Sequence, residues 1–446
     1  MSRAYTYQDP VHGAIEFPGD KLNSLIRKLI DCPEVQRLRH IRQNGLANLV
    51  FLGMEHSRFT HSLGVAYVAR RMYDRIINNS GVSHSDEQKL HTVVAALLHD
   101  VGHGPFSHTL EEILNSIRKP FSHERMTVRI LEGETKVNQL LSQYDGDLPW
   151  QLSTFIDKSR RSQDHWTYKI VSSQIDADRL DYLKRDAQQA GLVDTTFDLT
   201  RLLTMLTCHQ DVKGNLSLLA VDRHAIEAVE SYLLALDHMY RAVYFHKTVR
   251  AATVLLTSII ARAIDLFLNN NDQSVFPSTP DGRLHPLAQL AEQGDDIPVE
   301  DYLRLGEQHI WCLVDQWRGH KDRILQELAE KLAVRELPKT IEFNGYARGK
   351  NLRAKAGEIL LQKRSDLQEA DLKYYIAVDE VSRTSYKPYN WGQGGSDESI
   401  WMIGQELPAQ PLEQDTSSKI ILAIRDKHYF ERLVFPSEIQ EEMKQN

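Results

Sequence analysis

Cysteine is scarce. Cys32, Cys208 and Cys312 stand far apart and form no CxxC pair. That argues against a thiolate zinc site and a disulfide framework, and it fits a reducing, cytoplasmic setting. Long apolar runs are also missing. The N-terminus MSRAYTYQDP has no apolar signal core, and the longest apolar stretch, Ala251 to Leu268, is broken by Arg262 and Asp265. No membrane span is therefore expected. Positive charge is not in excess: 53 Lys and Arg face 61 Asp and Glu, a formal net charge of -8. The chain as a whole has no attraction for nucleic acid, although a local basic pocket for phosphates stays open. No internal repeat or low-complexity tract is present. With 41% hydrophobic and 26% charged residues, the 446-residue chain is of ordinary globular composition, which excludes wholesale disorder and a fibrous repeat. The length implies two or three domains, or one large domain with an appendage.

What the chain does have is histidine in one place. Nine of its 19 histidines (His40, His56, His61, His84, His91, His99, His103, His108 and His123) fall between residues 40 and 123, where even scattering would put about four. Composition leaves a metal site, a catalytic site and chance all open.

Most of the first 265 residues read as helix. Apolar and basic residues alternate at helical spacing over Leu22–Ile30, and Pro33 takes a first-turn position before Val35, Leu38 and Ile41. Helical patterning covers His61–Ile77. Ser85 or Asp86 is placed to cap a helix running through Val93-Val94-Ala95-Ala96-Leu97-Leu98, a block apolar on all sides and hence buried. Gly102-His103-Gly104-Pro105 should end it. Further helices are predicted at 122–133, 166–190, 199–207, 221–245, 246–268 and about 320–335. Residues 269–300, rich in Asn, Asp, Pro and Gly, read as a surface excursion. After Pro338 the texture changes: Thr340–Phe343, Tyr374–Val378 and Ile420–Ile424 read as short strands, with a polar loop near 391–398. The reading is mainly α: a helical body over 1–335, with its core at about 45–260, followed by a smaller C-terminal α+β lobe over 336–446.

Four positions carry the chemistry: His61, the adjacent pair His99-Asp100, and Asp178. Burying His and Asp beside six apolar residues is costly unless they are paired or bind a metal. Two imidazoles and two carboxylates form a nitrogen–oxygen set suited to Mn, Fe, Zn or Mg rather than soft copper. An ion so held acidifies a bound water. Taken singly, each residue would be an ordinary satisfied core or cap residue, and spacing alone does not link His61 and Asp178 to the pair.

The series His61…His99-Asp100…Asp178 resembles that of the HD-domain metal-dependent phosphohydrolases. It is most similar to the branch of dGTP and sterile-alpha-motif/HD-domain dNTP triphosphohydrolases. The shared wording is Asp9-Pro10-Val11-His12-Gly13, Gln36-Arg37-Leu38-Arg39, His56 to Val65, Leu98 to His108, Asp176-Ala177-Asp178-Arg179-Leu180-Asp181-Tyr182 and Tyr244-Phe245-His246-Lys247. It covers roughly residues 5–250, with a weaker echo in Val378-Asp379 and Tyr386-Lys387-Pro388-Tyr389.

The resemblance implies an HD-domain helical core and metal ligation by His61, His99, Asp100 and Asp178. It places His103, His108 and His123 around a reacting phosphate, with Glu111 near His108. Such a centre needs charge neutralisation, an in-line water and a proton for the leaving oxygen, and imidazoles suit the last two tasks. Gln43, Arg58, Arg179, Tyr182, Asp186 and Tyr244 match substrate-contacting positions. His103 follows His99 by four residues and would share its face on a continuing helix, unless the flanking glycines break it.

Three departures stand out. Leu236 and Tyr240 fall where the animal enzyme carries a phosphate-binding Arg and a His, with His238 or Arg241 as neighbouring substitutes, and Asn44 replaces an apolar residue beside Gln43. Asp31, Gln36 and Arg39 match an activator-nucleotide site, and Asp198, Arg201, His246 and Lys247 an adjoining one between subunits, although Tyr5 replaces a phosphate-binding Lys. The activator reading implies a homo-oligomer, dimer or tetramer; the plainer alternative is an exposed helical face with structural ion pairs.

The leading expectation is a divalent-metal-dependent dNTP triphosphohydrolase yielding deoxynucleoside and tripolyphosphate, in nucleotide-pool control or antiviral defence. The alternative is a phosphohydrolase, phosphodiesterase or nuclease acting on other nucleotides or single-stranded nucleic acid. A non-enzymatic nucleotide sensor with an idle core is the third reading.

Overall fold

The computed structural model describes residues 5–17, 21–117, 119–192, 197–211, 214–388, 399–404, 409–415, 420–424 and 428–444. It is mainly α-helical, with the small sheets largely toward the C-terminus. The chain opens with an antiparallel hairpin, β1 (Tyr5–Asp9) and β2 (Gly13–Phe17). The long helix Arg58–Ser80, stopped by Gly81 at φ 69°, packs against the helices Asp86–Leu98 and Ala177–Ala190. Ser85 caps Asp86–Leu98 by accepting from the Gln88 amide, and Val93–Leu98 are fully buried. A helix apolar on every side needs protein on every side.

Helix Lys247–Asn269 is long and apolar enough to pass for a membrane span, but 61% of its most apolar window is buried inside the protein. Here it serves as a core helix.

Several predicted elements differ in detail. The stretch 166–190 divides into Trp166–Val171 and Ala177–Ala190, because Asp176 starts a new helix by accepting from the Arg179 amide at 2.8 Å. The 199–207 helix stops at Thr204 and turns into β3 (Leu206–His209), which pairs antiparallel with β4 (Leu218–Asp222). The 221–245 helix begins only at Ile226 and closes in a π-helical turn over Tyr240–Tyr244. The supposed surface excursion at 269–300 contains helix Pro286–Gln293, whose residues Pro286 to Ala291 are all buried. Polar flanks had hidden its apolar turn.

In the C-terminal lobe, β5 (Lys339–Phe343) and β6 (Ala377–Arg383) flank β9 (His428–Phe435) in an antiparallel sheet. Tyr374 and Tyr375 end a short helix, and the strand starts at Ala377. Ile420–Ile424 is helical rather than a strand; an apolar run of five carries no period that separates the two. β7 (Trp401–Ile403) adds parallel to β4 and is edged by β8 (Gln410–Pro411), so one sheet joins residues from both sides of position 336. The bidentate Arg250–Asp379 pair (2.6 Å at its shortest) ties β6 to the core helix. Arg432 donates to the Phe245 carbonyl at 2.7 Å. The predicted loop at 391–398 and Tyr389 lie outside the described residues.

Candidate active site

The Leu98 helix end, the Arg58 helix and the Ala177 helix converge on one buried point. His61, on the second turn of its helix, is wholly buried. Its Nδ1 donates to Asp181 Oδ2 at 2.8 Å, so its Nε2 faces the other way. His99 is fixed in the same sense: its Nδ1 donates to the Ala96 carbonyl at 2.9 Å. Neither Nε2 has an aligned hydrogen-bond partner although both are buried. Asp178 Oδ1 lies 3.0 Å from His61 Nε2 and 3.7 Å from His99 Nε2. Asp100 Oδ1 is 3.2 Å from His99 Nε2, and its Oδ2 is 3.8 Å from His61 Nε2.

Ligand atoms sharing one ion at about 2.1 Å lie roughly 3–4 Å apart. The orphaned imidazole nitrogens and the carboxylate spacings therefore fit a divalent cation held by His61, His99, Asp100 and Asp178. Burial would push the His61 imidazole down, but Asp178 and Asp181 override it and raise it to about 10. Likewise Asp100, penalised by burial, is held well below the carboxylate range by His99, Arg58 and His103. The pocket carries enough negative charge to draw in a cation.

Behind these four side chains lies a network outside the ligand set expected from sequence. Asp181 accepts from His61, from His12 Nε2 (2.6 Å) and from Arg185 Nε and Nη2 (2.9 Å each). Arg185 Nη1 donates to Asp9 Oδ2 at 2.8 Å. Burial alone would raise the Asp181 carboxyl; the Arg185 guanidinium and the two imidazoles keep it far below its usual range. The Asp9–Gly13 turn is itself built for this. Asp9 Oδ1 accepts from the Val11 and His12 amides at 2.9 Å each, which aims His12 inward. Gly64 is required: a Cβ there would collide with the Asp181 carboxylate. The usable signal was the motif wording at Asp9–Gly13 and Asp181, which carried ionisable residues without an assigned task. Partners that orient a metal-ligating histidine are worth about 10- to 100-fold in metal affinity. Asp181→Asn is accordingly expected to weaken manganese binding by that factor, measured by competition against a chelator; unchanged affinity would show that Asp181 is only packing.

Beside this point a second cluster forms. Gly102 lets the chain pass against the His123 helix, since a Cβ there would strike the His123 carbonyl and the Thr127 amide. His103 stacks on His123 with ring centroids 3.7 Å apart, and His103 Nε2 lies 3.4 Å from Asp100 Oδ1. Burial, Arg58 and His123 drive the His103 imidazole well below its usual value, so it is neutral. Its helix does not continue from His99, because the chain turns at the glycines. Glu111 bridges the other two histidines, with Oε1 accepting from His123 Nδ1 and Oε2 from His108 Nδ1, both at 2.9 Å. These bonds hold the Glu111 carboxyl below its usual range against the effect of burial. His108 is 68% exposed. Phe106 and Ser107 adopt positive φ (56° and 51°), a strained conformation that tends to sit at functional sites. Arg58 Nε donates to Ser107 Oγ at 2.8 Å, and Nη1 donates to Asp100.

Both clusters open on a cavity of about 560 Å³, within the range of small-ligand sites. Gln43, Arg58, Tyr182, Asp186 and Tyr244 line it, together with Asn44 and Tyr240. Gln43 Oε1 and Asn44 Nδ2 are buried there without partners. Asp186 accepts from His56 Nε2 (2.7 Å) and the Tyr244 hydroxyl (2.6 Å). Arg179 Nε sits 3.6 Å from Asp176 Oδ2. Leu236 is fully buried in the core. Arg241 pairs with Asp237 at 2.6 Å.

The residues predicted for an activator site lie elsewhere. Gln36 Nε2 donates to the Ile30 carbonyl (2.7 Å) and Arg39 Nε to Gln36 Oε1 (2.8 Å). Arg39 also stacks on Phe59, and Asp31 is exposed beside them. Asp198 caps the next helix through the Arg201 amide, and Arg201 donates to the His224 carbonyl. His246 and Lys247 open the core helix, where His246 Nδ1 accepts from the Thr248 amide.

A helical fold with two imidazoles and two carboxylates converging beside a His–Glu–His cluster defines a hydrolase centre of the HD type. The chain belongs to the HD-domain phosphohydrolase family: the HD domain model matches residues 58–186 and the HD associated region matches 197–285. It is 33% identical over 440 residues to the uncharacterized protein YwfO of Bacillus subtilis, covering 98% of this chain and 94% of that one. It is 29% identical over 408 residues to the deoxynucleoside triphosphate triphosphohydrolase SAMHD1 of Bos taurus, covering 85% of this chain and 66% of that protein. The crystal structure of a Bacteroides thetaiotaomicron phosphohydrolase shares the fold, with a TM-score of 0.78 at 24% identity over 97% of this chain and all of that one.

Proposed function

We propose that the protein hydrolyses deoxynucleoside triphosphates to deoxynucleoside and tripolyphosphate, using a divalent metal ion at His61, His99, Asp100 and Asp178. The observation that carries this reading is the pair of orphaned imidazole nitrogens facing two carboxylates at the edge of a nucleotide-sized cavity. The similarity to SAMHD1 supports the choice of substrate. A bound ion would supply Lewis-acid polarisation of a phosphoryl oxygen and a more acidic water.

The chain's own groups do the rest. Water adds its oxygen to the α-phosphorus and releases a proton to solvent, the bond from phosphorus to the sugar 5′-oxygen breaks, and that oxygen takes a proton. His123 is placed to deliver it, since Glu111 holds its Nδ1 and its Nε2 has no hydrogen bond among the described residues. His103, neutral and stacked on His123, keeps that ring in place. Arg58 positions Asp100 and Ser107. Tyr182, Tyr244, Asp186 and Gln43 offer a partly aromatic wall with acceptors for the deoxyribose and base.

Activation by a nucleotide at Asp31, Gln36 and Arg39, completed by Asp198, Arg201, His246 and Lys247 in an oligomer, belongs to the same proposal. The three residues of the first group share one surface segment.

Chromatography of products from each dNTP, each NTP and single-stranded DNA, with manganese or magnesium, tests the proposal. Tripolyphosphate and deoxynucleoside in equal amounts are expected. Orthophosphate or 5′-monophosphate instead would favour a second reading, a phosphohydrolase of other nucleotides, which the apolar burial of Leu236 favours.

A further inference from the structure

A triphosphate tail brings three to four negative charges, and the cavity must meet them with cations. Three of the arginines at or beside it are already committed. Arg58 is held by Asp100 and Ser107, Arg250 by both oxygens of Asp379, and Arg179 faces Asp176. The fourth is different. Arg383 ends β6, directly after Val381 and Ser382, which line the cavity wall. Its guanidinium carbon lies 3.7 Å from the centroid of the Tyr240 ring, and its Nη1 donates to the Tyr240 hydroxyl. Among the described residues no carboxylate pairs with it, and its Nε is buried without a partner. Tyr240 itself lines the cavity.

Arg383 is half-buried, and a partly desolvated guanidinium with no carboxylate partner among the described residues carries a cost. Stacking on an aromatic face offsets part of that cost and fixes the plane of the fork. What remains is a preorienteded donor set whose natural partner is a phosphate, which a guanidinium can grip through two parallel bonds.

We infer that Arg383, presented by the C-terminal lobe and steadied by Tyr240, binds the polyphosphate tail of the substrate. This rests on the nucleoside triphosphate reading above and extends it. It gives the lobe a part in the site: β6 is pinned to the core helix by Arg250–Asp379, four residues before the arginine that reaches the tail. It also makes Tyr240 a support for a cation.

The test uses the manganese-loaded full-length protein with Arg383→Gln and Arg383→Lys, each checked for an unchanged melting temperature. Charged hydrogen bonds of this kind correspond to about 10- to 100-fold in affinity. For Arg383→Gln, KM for the dNTP and the inhibition constant of inorganic tripolyphosphate are both expected to rise by that factor. Inhibition by the deoxynucleoside product stays unchanged, and Arg383→Lys recovers part of the loss. Unchanged tripolyphosphate inhibition in Arg383→Gln would overturn the inference, as would an equal loss for the deoxynucleoside. Should the wild type release no tripolyphosphate from any dNTP, the functional reading fails on its own. Calorimetric binding of inorganic tripolyphosphate then still decides on Arg383: a loss in the variant supports the inference, and equal binding overturns it.

Discussion

Asp178→Ala is expected to strip the protein of its divalent ion and lower kcat/KM by about 10³-fold or more, since metal polarisation supplies several kcal/mol and each 1.4 kcal/mol is tenfold. Asp178 Oδ1 is the atom that lies near both orphaned nitrogens, 3.0 Å from His61 and 3.7 Å from His99. Removing it leaves the two imidazoles and Asp100, whose charge Arg58 already shares. The fold should survive, because the Asp178 side chain is 34% exposed at the cavity wall and takes no part in helix capping, which falls to Asp176. Elemental analysis of the dialysed variant checks the loss. Stoichiometric metal in Asp178→Ala would remove that residue from the ligand set.

His123→Ala should behave in the opposite way: metal is retained while kcat falls by about 10²- to 10⁴-fold, the range of a lost general acid, with KM for the nucleotide little changed. The basis is geometric. His123 belongs to the cluster with Glu111 and His108, and its ring is fixed by a 2.9 Å bond to Glu111 and by stacking on His103. Glu111→Gln keeps the ring and loses only its anchor, so its kcat should fall between wild type and His123→Ala. Single-turnover kinetics with metal analysis of the same samples separates the cases; loss of metal from His123→Ala would move that residue into the metal set.

Much of this centre was legible because its chemistry is written in short local words. His99-Asp100 follows an all-apolar helical block, and burial of that block forces the pair inward. The resemblance then supplied His61 and Asp178, which no periodicity could connect. The support behind them was harder to read. His12 and Asp181 are 169 positions apart, and only folding shows that the N-terminal turn backs His61 through Asp181. The same holds for β7, which pairs with β4 across some 180 positions with no local signal of its partner. Ile420–Ile424 became helix although its residues favour strands, because short runs take their state from tertiary context. Helix Pro286–Gln293 was obscured by polar flanks.

The proposed cation site lies among His61, His99, Asp100 and Asp178. Two other side-chain groups among the described residues offer three ligand atoms apiece, Asp100–His103–His123 and His108–Glu111–His123. Anomalous diffraction from crystals of the manganese-loaded protein distinguishes them directly. One dominant peak is expected, about 2.0–2.3 Å from the Nε2 atoms of His61 and His99 and from carboxylate oxygens of Asp100 and Asp178. A dominant peak at the His108–Glu111–His123 group, with none between His61 and His99, would contradict it.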